Sequence, residues 1–281
     1  MAIKTIACFV EGSEDAPLRL DHACRVARAL DAHLTAVALG RQPDMGVYAV
    51  PGGEMAVDMA LIDDARTAAR ARADEAATRL QTAGLTPDTR WAANIVAGLE
   101  ETAARAGRHA DLTVCGPVGG DEPEADVIEA AFEGALFGSG RPVMIVPRGW
   151  RGEGVCRNVM VCWDGSRVAA RAAGDAAPFL ALAESVTVAL VDPRPGDGLL
   201  GEEPGADIAA VLARQGAAVT VERLPSSGAS VADRLMTRAS DAEADLMVMG
   251  GYGHSKLREA IFSGVSRQVF ENPVVPVLTA H

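Results

Sequence analysis

Lys4-Thr-Ile-Ala-Cys-Phe-Val-Glu-Gly-Ser13 and Asn158-Val-Met-Val-Cys-Trp-Asp-Gly-Ser166 share one pattern: an apolar run of strand length, an acidic residue, Gly-Ser, then an alanine-rich helical stretch. An internal repeat settles the architecture before any single element does. The correspondence extends to the far end of each half. Asp111-Leu-Thr-Val-Cys-Gly116 parallels Asp245-Leu-Met-Val-Met-Gly250, each followed three residues on by another glycine, Gly119 and Gly253. Arg141-Pro-Val-Met-Ile-Val146 parallels Val275-Pro-Val-Leu-Thr279, and one offset of 134 positions relates both of these pairs.

Each half alternates short apolar strands with longer amphipathic segments. The first-half strands are expected near Lys4–Val10, Thr35–Leu39, Thr89–Val96, Leu112–Cys115 and Val143–Val146. Their second-half counterparts are expected near Val159–Trp163, Val186–Val191, Ala218–Leu224, Leu246–Met249 and Val274–Thr279. This alternation predicts α/β domains in which parallel strands are covered by helices on both faces. Crossovers of this kind are right-handed. Pro147–Gly154 is rich in Gly and charge without an apolar period, so it reads as the link between a domain of residues 1–148 and one of 155–281. A length of 281 residues suits two domains of the usual ~100–150.

Gly40–Glu54, broken by Pro43, Pro51, Gly52 and Gly53, reads as a long loop, either a lid or an interface arm, and Met55–Thr82 as a helix with one charged face. The last strand of each half would be an open edge, and pairing the two within one chain would make an intramolecular pseudo-dimer; a homodimer is the alternative assembly.

Composition narrows the partners. With 26 basic and 38 acidic side chains the formal net charge is −12, a field that repels phosphate backbones and anionic lipid. Nucleic acid and membranes are therefore not expected as partners. Aromatic residues at 4% give little material for stacking platforms. The first residues lack the basic segment of a signal peptide and no apolar run reaches the ~18 residues that span a bilayer, so a cytoplasmic location is expected. Cys8, Cys24, Cys115, Cys156 and Cys162 contain no C-x-x-C and read as buried small hydrophobes.

Chemistry concentrates in Leu246–Arg267. A strand ends at Met249, glycines stand at 250, 251 and 253, and a helix is expected to begin near Phe262–Gly264. Glycine lets backbone N–H groups approach a phosphate, and a helix start favours an anion. His254, Lys256 and Arg258 add positive charge beside the loop. A tight connection with no ligand is the competing reading. In open α/β sheets ligands sit beyond the carboxyl ends of strands where the strand order reverses, here between the first and fourth strands of a half. Asp164 ends one of these strands and Gly250 the other, with Val191 offering an apolar surface to adenine. Asp164 is equally suited to hydrogen-bond a ribose or base and to serve as a turn or cap residue.

On these residues the second half resembles a universal stress protein domain, and the whole chain resembles the tandem form of that family. The resemblance implies two flavodoxin-like (adenine nucleotide alpha hydrolase-like) domains, each a five-stranded parallel sheet of order 3-2-1-4-5. It further implies ATP or a related adenine nucleotide, with or without Mg2+, as a regulatory ligand in a stress response. The family pattern of G-x-x-G, nine residues, then Gly followed by Ser or Thr meets Gly250 and Gly253, but here Ser263 precedes Gly264 in reversed order. Ser266 is a candidate to replace the displaced hydroxyl. The adenine contacts implied are Cys162, Trp163, Asp164, Val191 and Met249. The phosphate contacts implied are Gly250, Gly253, Ser263, Gly264 and Val265, with His254 beside them. Trp163 either stacks on a base or closes the pocket.

In the first half Glu11 replaces the Asp, and the offset of 134 puts Glu129 and Ala130 at the Ser263–Gly264 position, where a carboxylate repels phosphate. Only the second half is expected to bind nucleotide. The alternative is a nucleotide-free stress-related scaffold with both pockets degenerate. No nucleophile elbow, zincin motif, Walker lysine or zinc spacing is present, so catalysis is limited to what the resemblance allows, slow ATP hydrolysis or autophosphorylation. His22 and His33 are expected as surface or edge residues.

Overall fold

The computed structural model describes residues 2–43, 59–194, 203–252 and 264–281. The first half runs β1 (Thr5–Val10), α1 (Ala16–Leu30), β2 (His33–Arg41), α2 (Met59–Thr82), β3 (Asp88–Asn94), α3 (Val96–Arg108), β4 (Leu112–Cys115), α4 (Ala125–Gly138) and β5 (Val143–Ile145). The second runs β6 (Asn158–Cys162), α5 (Arg167–Asp175), α6 (Ala177–Leu180), β7 (Ser185–Val191), α7 (Ala206–Arg214), β8 (Val219–Leu224), α8 (Val231–Asp241), β9 (Leu246–Gly250), α9 (Val265–Glu271) and β10 (Val277–Ala280).

All ten strands join one sheet in the order β3-β2-β1-β4-β5-β10-β9-β6-β7-β8. Each half has the order 3-2-1-4-5 expected for it, and neighbours within a half are parallel. The two sheets are continuous because β5 and β10 pair antiparallel, Val277 opposite Ile145, Leu278 opposite Met144 and Thr279 opposite Val143. β2 is longer than the sequence pattern suggests and includes Gly40 and Arg41, so the loop starts after them. The greater part of that loop, and Met55–Asp58, lie outside the described residues.

Strand alternation divides the core in two. Ile6, Cys8 and Val10 with Val159 and Val161 face α1, α2, α5, α6 and α7. Ala7 and Phe9 with Met160 and Cys162 face α3, α4, α8 and α9. Central strands are buried on both faces, which is why they read as unbroken apolar runs. Local chemistry sets the helix ends. Ser166 and Ser230 cap α5 and α8, their Oγ atoms accepting from the N–H groups of Ala169 (3.1 Å) and Asp233 (3.0 Å). α1 stops at Asp31, in the left-handed region at φ 50°.

The connecting segment is not a free tether. Arg148 donates to the carbonyl oxygens of Gly119 (2.6 Å) and Glu271 (2.9 Å), one in each half. The Gly149 N–H donates to Asp15, and Trp150 packs against both core clusters.

α3 and α4 touch closely because Gly134 has no side chain: a Cβ there would run into the Glu100 carbonyl oxygen. Gly134→Ala should therefore lower stability by about 1–3 kcal/mol through overpacking, read as a lower urea midpoint with an unchanged slope.

Candidate functional site

The strand order reverses at β6, which leads by sequence to β7 on one side and has β9 on the other, Val161 opposite Val248. A crevice beyond the carboxyl ends of these strands is the expected ligand position in this class of sheet. Four features of the described residues meet there.

Asp164 lies two residues past β6 and is exposed. Its Oδ1 accepts from the Ser166 N–H at 2.9 Å, across Gly165 at φ 76°. The turn reading of Asp164 is thus realised through one oxygen, while the carboxylate still faces solvent. Gly250 closes β9, and a Cβ on it would stand 2.5 Å from the Ala169 nitrogen and 2.6 Å from the Val168 carbonyl carbon. Glycine is required here because the first turn of α5 crosses the strand end. Ser266, in the first turn of α9, donates to the Gly250 carbonyl oxygen at 3.2 Å. That hydroxyl is directed to the strand end.

Gly264 is the N-cap of α9, with extended backbone at φ 175°; among the described residues no side chain caps it and none lies within 4 Å of where a Cβ would stand. Val265 follows, half-buried against the α8/α9 side. Cys162 and Met249 are buried beneath, and half-buried Val191 packs on the same face. Burial, followed by the Asp164 charge, pushes the Cys162 thiol up to about 12, so it stays neutral.

Trp163 does not join them. As the next residue after Cys162 it points to the other face, where it lines a cleft of about 330 Å³ with Ala170, Ala173, Ile208 and Leu212. Gly253, His254 and Ser263 lie outside the described residues, as do Lys256 and Arg258.

The family model described as the universal stress protein family matches residues 156–281. This half of the chain is thus similar to a universal stress protein domain. A universal stress protein from Archaeoglobus fulgidus DSM 4304 superposes on the whole chain with a TM-score of 0.72 at 18% identity, covering 98% of this chain and 95% of that one. A Pseudomonas aeruginosa UCBPP-PA14 protein assigned provisionally to the same family gives 0.56 at 18% identity, with coverage of 99% and 93%. A universal stress protein solved in complex with cAMP aligns over 53% of this chain and 100% of its own, at 23% identity and a TM-score of 0.37. No curated protein matches the sequence. The whole-chain superpositions show that the first half, outside the family match, shares the fold of the universal stress protein domain.

At the corresponding place the first half is filled from within. Arg19 of α1 is buried and grips buried Glu11 with two bonds, Nη1 to Oε2 and Nη2 to Oε1, both 2.6 Å. Nη1 also donates to the Phe9 carbonyl at 3.1 Å, and Ser13 donates to Glu11. A Cβ on Gly116, the counterpart of Gly250, would stand 3.1 Å from Arg19 Nη2. The guanidinium therefore lies against the end of β4. Burial pushes the Glu11 carboxyl up, but the Arg19 charge and hydrogen bonds outweigh it and the net shift is down.

Sequence reasoning passed over Arg19. The signal was its place on the buried stripe of α1, three residues after Ala16 and four before Ala23.

Glu129 sits inside α4, which begins at Ala125, whereas α9 begins at Val265 after Gly264; Ser263, the counterpart of Glu129 at the offset of 134, lies outside the described residues. One expectation needs correction. His22 is not a surface residue. It is fully buried, edge-on to Trp150 at 6.4 Å, and burial followed by the Arg25 charge lowers its pKa to about 3. His33 is exposed, 2.9 Å from Asp88.

Removing one partner of the Glu11–Arg19 pair should destabilise strongly. Glu11→Gln is expected to cost about 3–5 kcal/mol, and the double change Glu11→Leu, Arg19→Met much less. Because the folded-state pKa of Glu11 is lowered, its contribution is complete above the ordinary carboxyl value of 4.5 and is lost as pH falls through the folded value. Urea unfolding between pH 3 and 7 (roughly the range where carboxyl linkage acts) should show this acid loss in the wild type and less of it in the double variant.

Proposed function

We propose that the protein is a two-domain universal stress protein, residues 1–148 and 155–281, that binds one ATP or related adenine nucleotide in the second domain as a regulatory ligand. The observation that carries this reading is the exposed Asp164 carboxylate beyond β6, beside the glycine exit of β9 and within the sheet's reversal point. Asp164 would accept from a ribose hydroxyl or the base. Cys162, Val191 and Met249 would supply the apolar floor, and the amides leading into α9, with Gly264 and Val265, would meet the phosphates. Gly253, His254 and Ser263 join this proposal on the sequence motif alone.

Magnesium would enter with the phosphates, as it commonly does. The described residues hold no group of three His, Cys, Asp or Glu that could fix a metal by itself. The contrast between the halves supports a single site, since the Arg19 guanidinium occupies the first-half counterpart. Among the described residues no helix is long and apolar enough to cross a membrane.

Isothermal titration of the full chain with ATP and magnesium tests the reading. One nucleotide should bind per chain, and Asp164→Ala should weaken it roughly tenfold or more, as expected for losing a hydrogen bond to a charged acceptor. No saturable heat with the wild type would overturn the proposal and leave the scaffold reading in its place.

A further inference from the structure

Among the described residues Asp164 is the sole aspartate that precedes a glycine. That pair carries a chemistry of its own. The peptide nitrogen of the following residue can attack an aspartyl carboxyl and close a five-membered imide, provided the nitrogen is uncrowded and the acid has no cationic partner. The turn between β6 and α5 meets both conditions. Asp164 and Gly165 are exposed, and Gly165, at φ 76°, has no atom within 4 Å of where a Cβ would stand. Among the described residues its N–H finds no acceptor, and no basic side chain pairs with Asp164. The 2.9 Å bond from the Ser166 N–H to Asp164 Oδ1 folds the carboxyl back along the chain, across the intervening Gly165 peptide.

The first half supplies the contrast. Its acid–glycine pair is Glu11–Gly12, and the extra methylene of glutamate would demand a larger, more slowly formed ring. Glu11 is also buried, with both carboxylate oxygens held by Arg19 at 2.6 Å. Gly12 is crowded, since a Cβ there would run into Arg72 and Glu124. Two pairs at the same place in the fold therefore differ in ring size, burial and charge pairing, and each difference favours reaction in the second half.

We infer that Asp164–Gly165 is a site of spontaneous covalent modification, at which the folded protein converts aspartate to isoaspartate. The Gly165 nitrogen bonds to Asp164 Cγ, its proton and the carboxyl hydroxyl leave together as water, and a succinimide joins the two residues. Water then adds back. Attack at Cγ restores aspartate. Attack at the Asp164 backbone carbonyl carbon breaks the original peptide bond and leaves the chain running through Cγ, with the former backbone carbon as the free carboxylate. The cycle consumes no oxidant, and the water released is the water returned. The isoaspartyl form adds one carbon to the main chain just before Ser166, the cap of α5, and shifts the carboxylate from its place beyond β6. Its consequence for ligand binding rests on the nucleotide reading above: a chain so modified loses its Asp164 contact.

The test ages the native full-length protein at neutral pH and physiological temperature and maps its tryptic peptides by mass spectrometry. Cleavage after Arg157 and Arg167 releases Asn158–Arg167, in which Asp164 is the sole aspartate. An isomeric peptide of unchanged mass, accepting a methyl group from an isoaspartyl methyltransferase, should accumulate with time in the wild type. It should be lost in Asp164→Glu and accumulate faster in Asp164→Asn, which closes the same ring with loss of ammonia. The peptide containing Glu11 should stay unmodified. A native wild type whose Asn158–Arg167 peptide stays unmodified overturns the inference, most directly where the urea-unfolded chain does convert, because the fold then blocks ring closure. Titration with ATP separates the two readings. Fresh protein that binds ATP should lose sites in proportion to the isomerised fraction, and aged protein that keeps them all overturns the stated consequence. Protein that isomerises natively but binds no ATP even when fresh overturns the nucleotide reading and leaves the modification standing.

Discussion

Three antiparallel residue pairs between β5 and β10 make the molecule one body. Without them each half would present the unpaired backbone of its fifth strand, an edge that invites association. With them the exposed edges of the sheet move outward to β3 and β8, whose burial is broken by charged and polar residues such as Arg90, Asn94, Glu222 and Arg223. The pairing also carries α4 and α9 to the same face of the sheet, so that Phe132 and Phe270 meet with ring centroids 5.6 Å apart.

The two halves answer one geometric problem differently. A strand end at a reversal point leaves a crevice with backbone amides and a nearby carboxylate. In the first half the carboxylate is Glu11, one methylene longer than Asp, and Arg19 reaches in from α1 to satisfy it. A buried guanidinium is tolerable only with such pairing. In the second half the counterpart acid is the shorter Asp164, exposed and turned onto the Ser166 amide, and position 172, the counterpart of Arg19, is alanine. Among the described residues, the difference of one basic side chain separates an acid sealed inside its own half from one that is exposed.

The strand order within each half was legible because central strands are apolar on both faces and recur at a near-constant spacing. Helix starts were less legible. The offset of 134 holds through β4/β9 and β5/β10, which are locked by sheet register, but not at the first residues of α4 and α9, where no register acts. His22 was misread because a histidine on a short polar-looking stretch gives no sign of the Trp150 that covers it from a segment 128 positions away. Trp163 was grouped with Cys162 on the family resemblance, although alternation along a strand sends neighbours to opposite faces.

Tyr252 ties the exit of β9 to the first half. Glycine at 252 would adopt the left-handed backbone at no steric cost, and glycines surround that position, yet the chain places its aromatic ring there. The ring has value only if a surface waits for it, and that surface is α4, built from a half whose own crevice is filled by Arg19. Sheet closure and helix packing reside in β5 and in the face of α4 rather than in the strand exit that Arg19 fills. The Glu11–Arg19 pair that fills the first-half strand exit is thus built separately from the α4 surface that meets Tyr252.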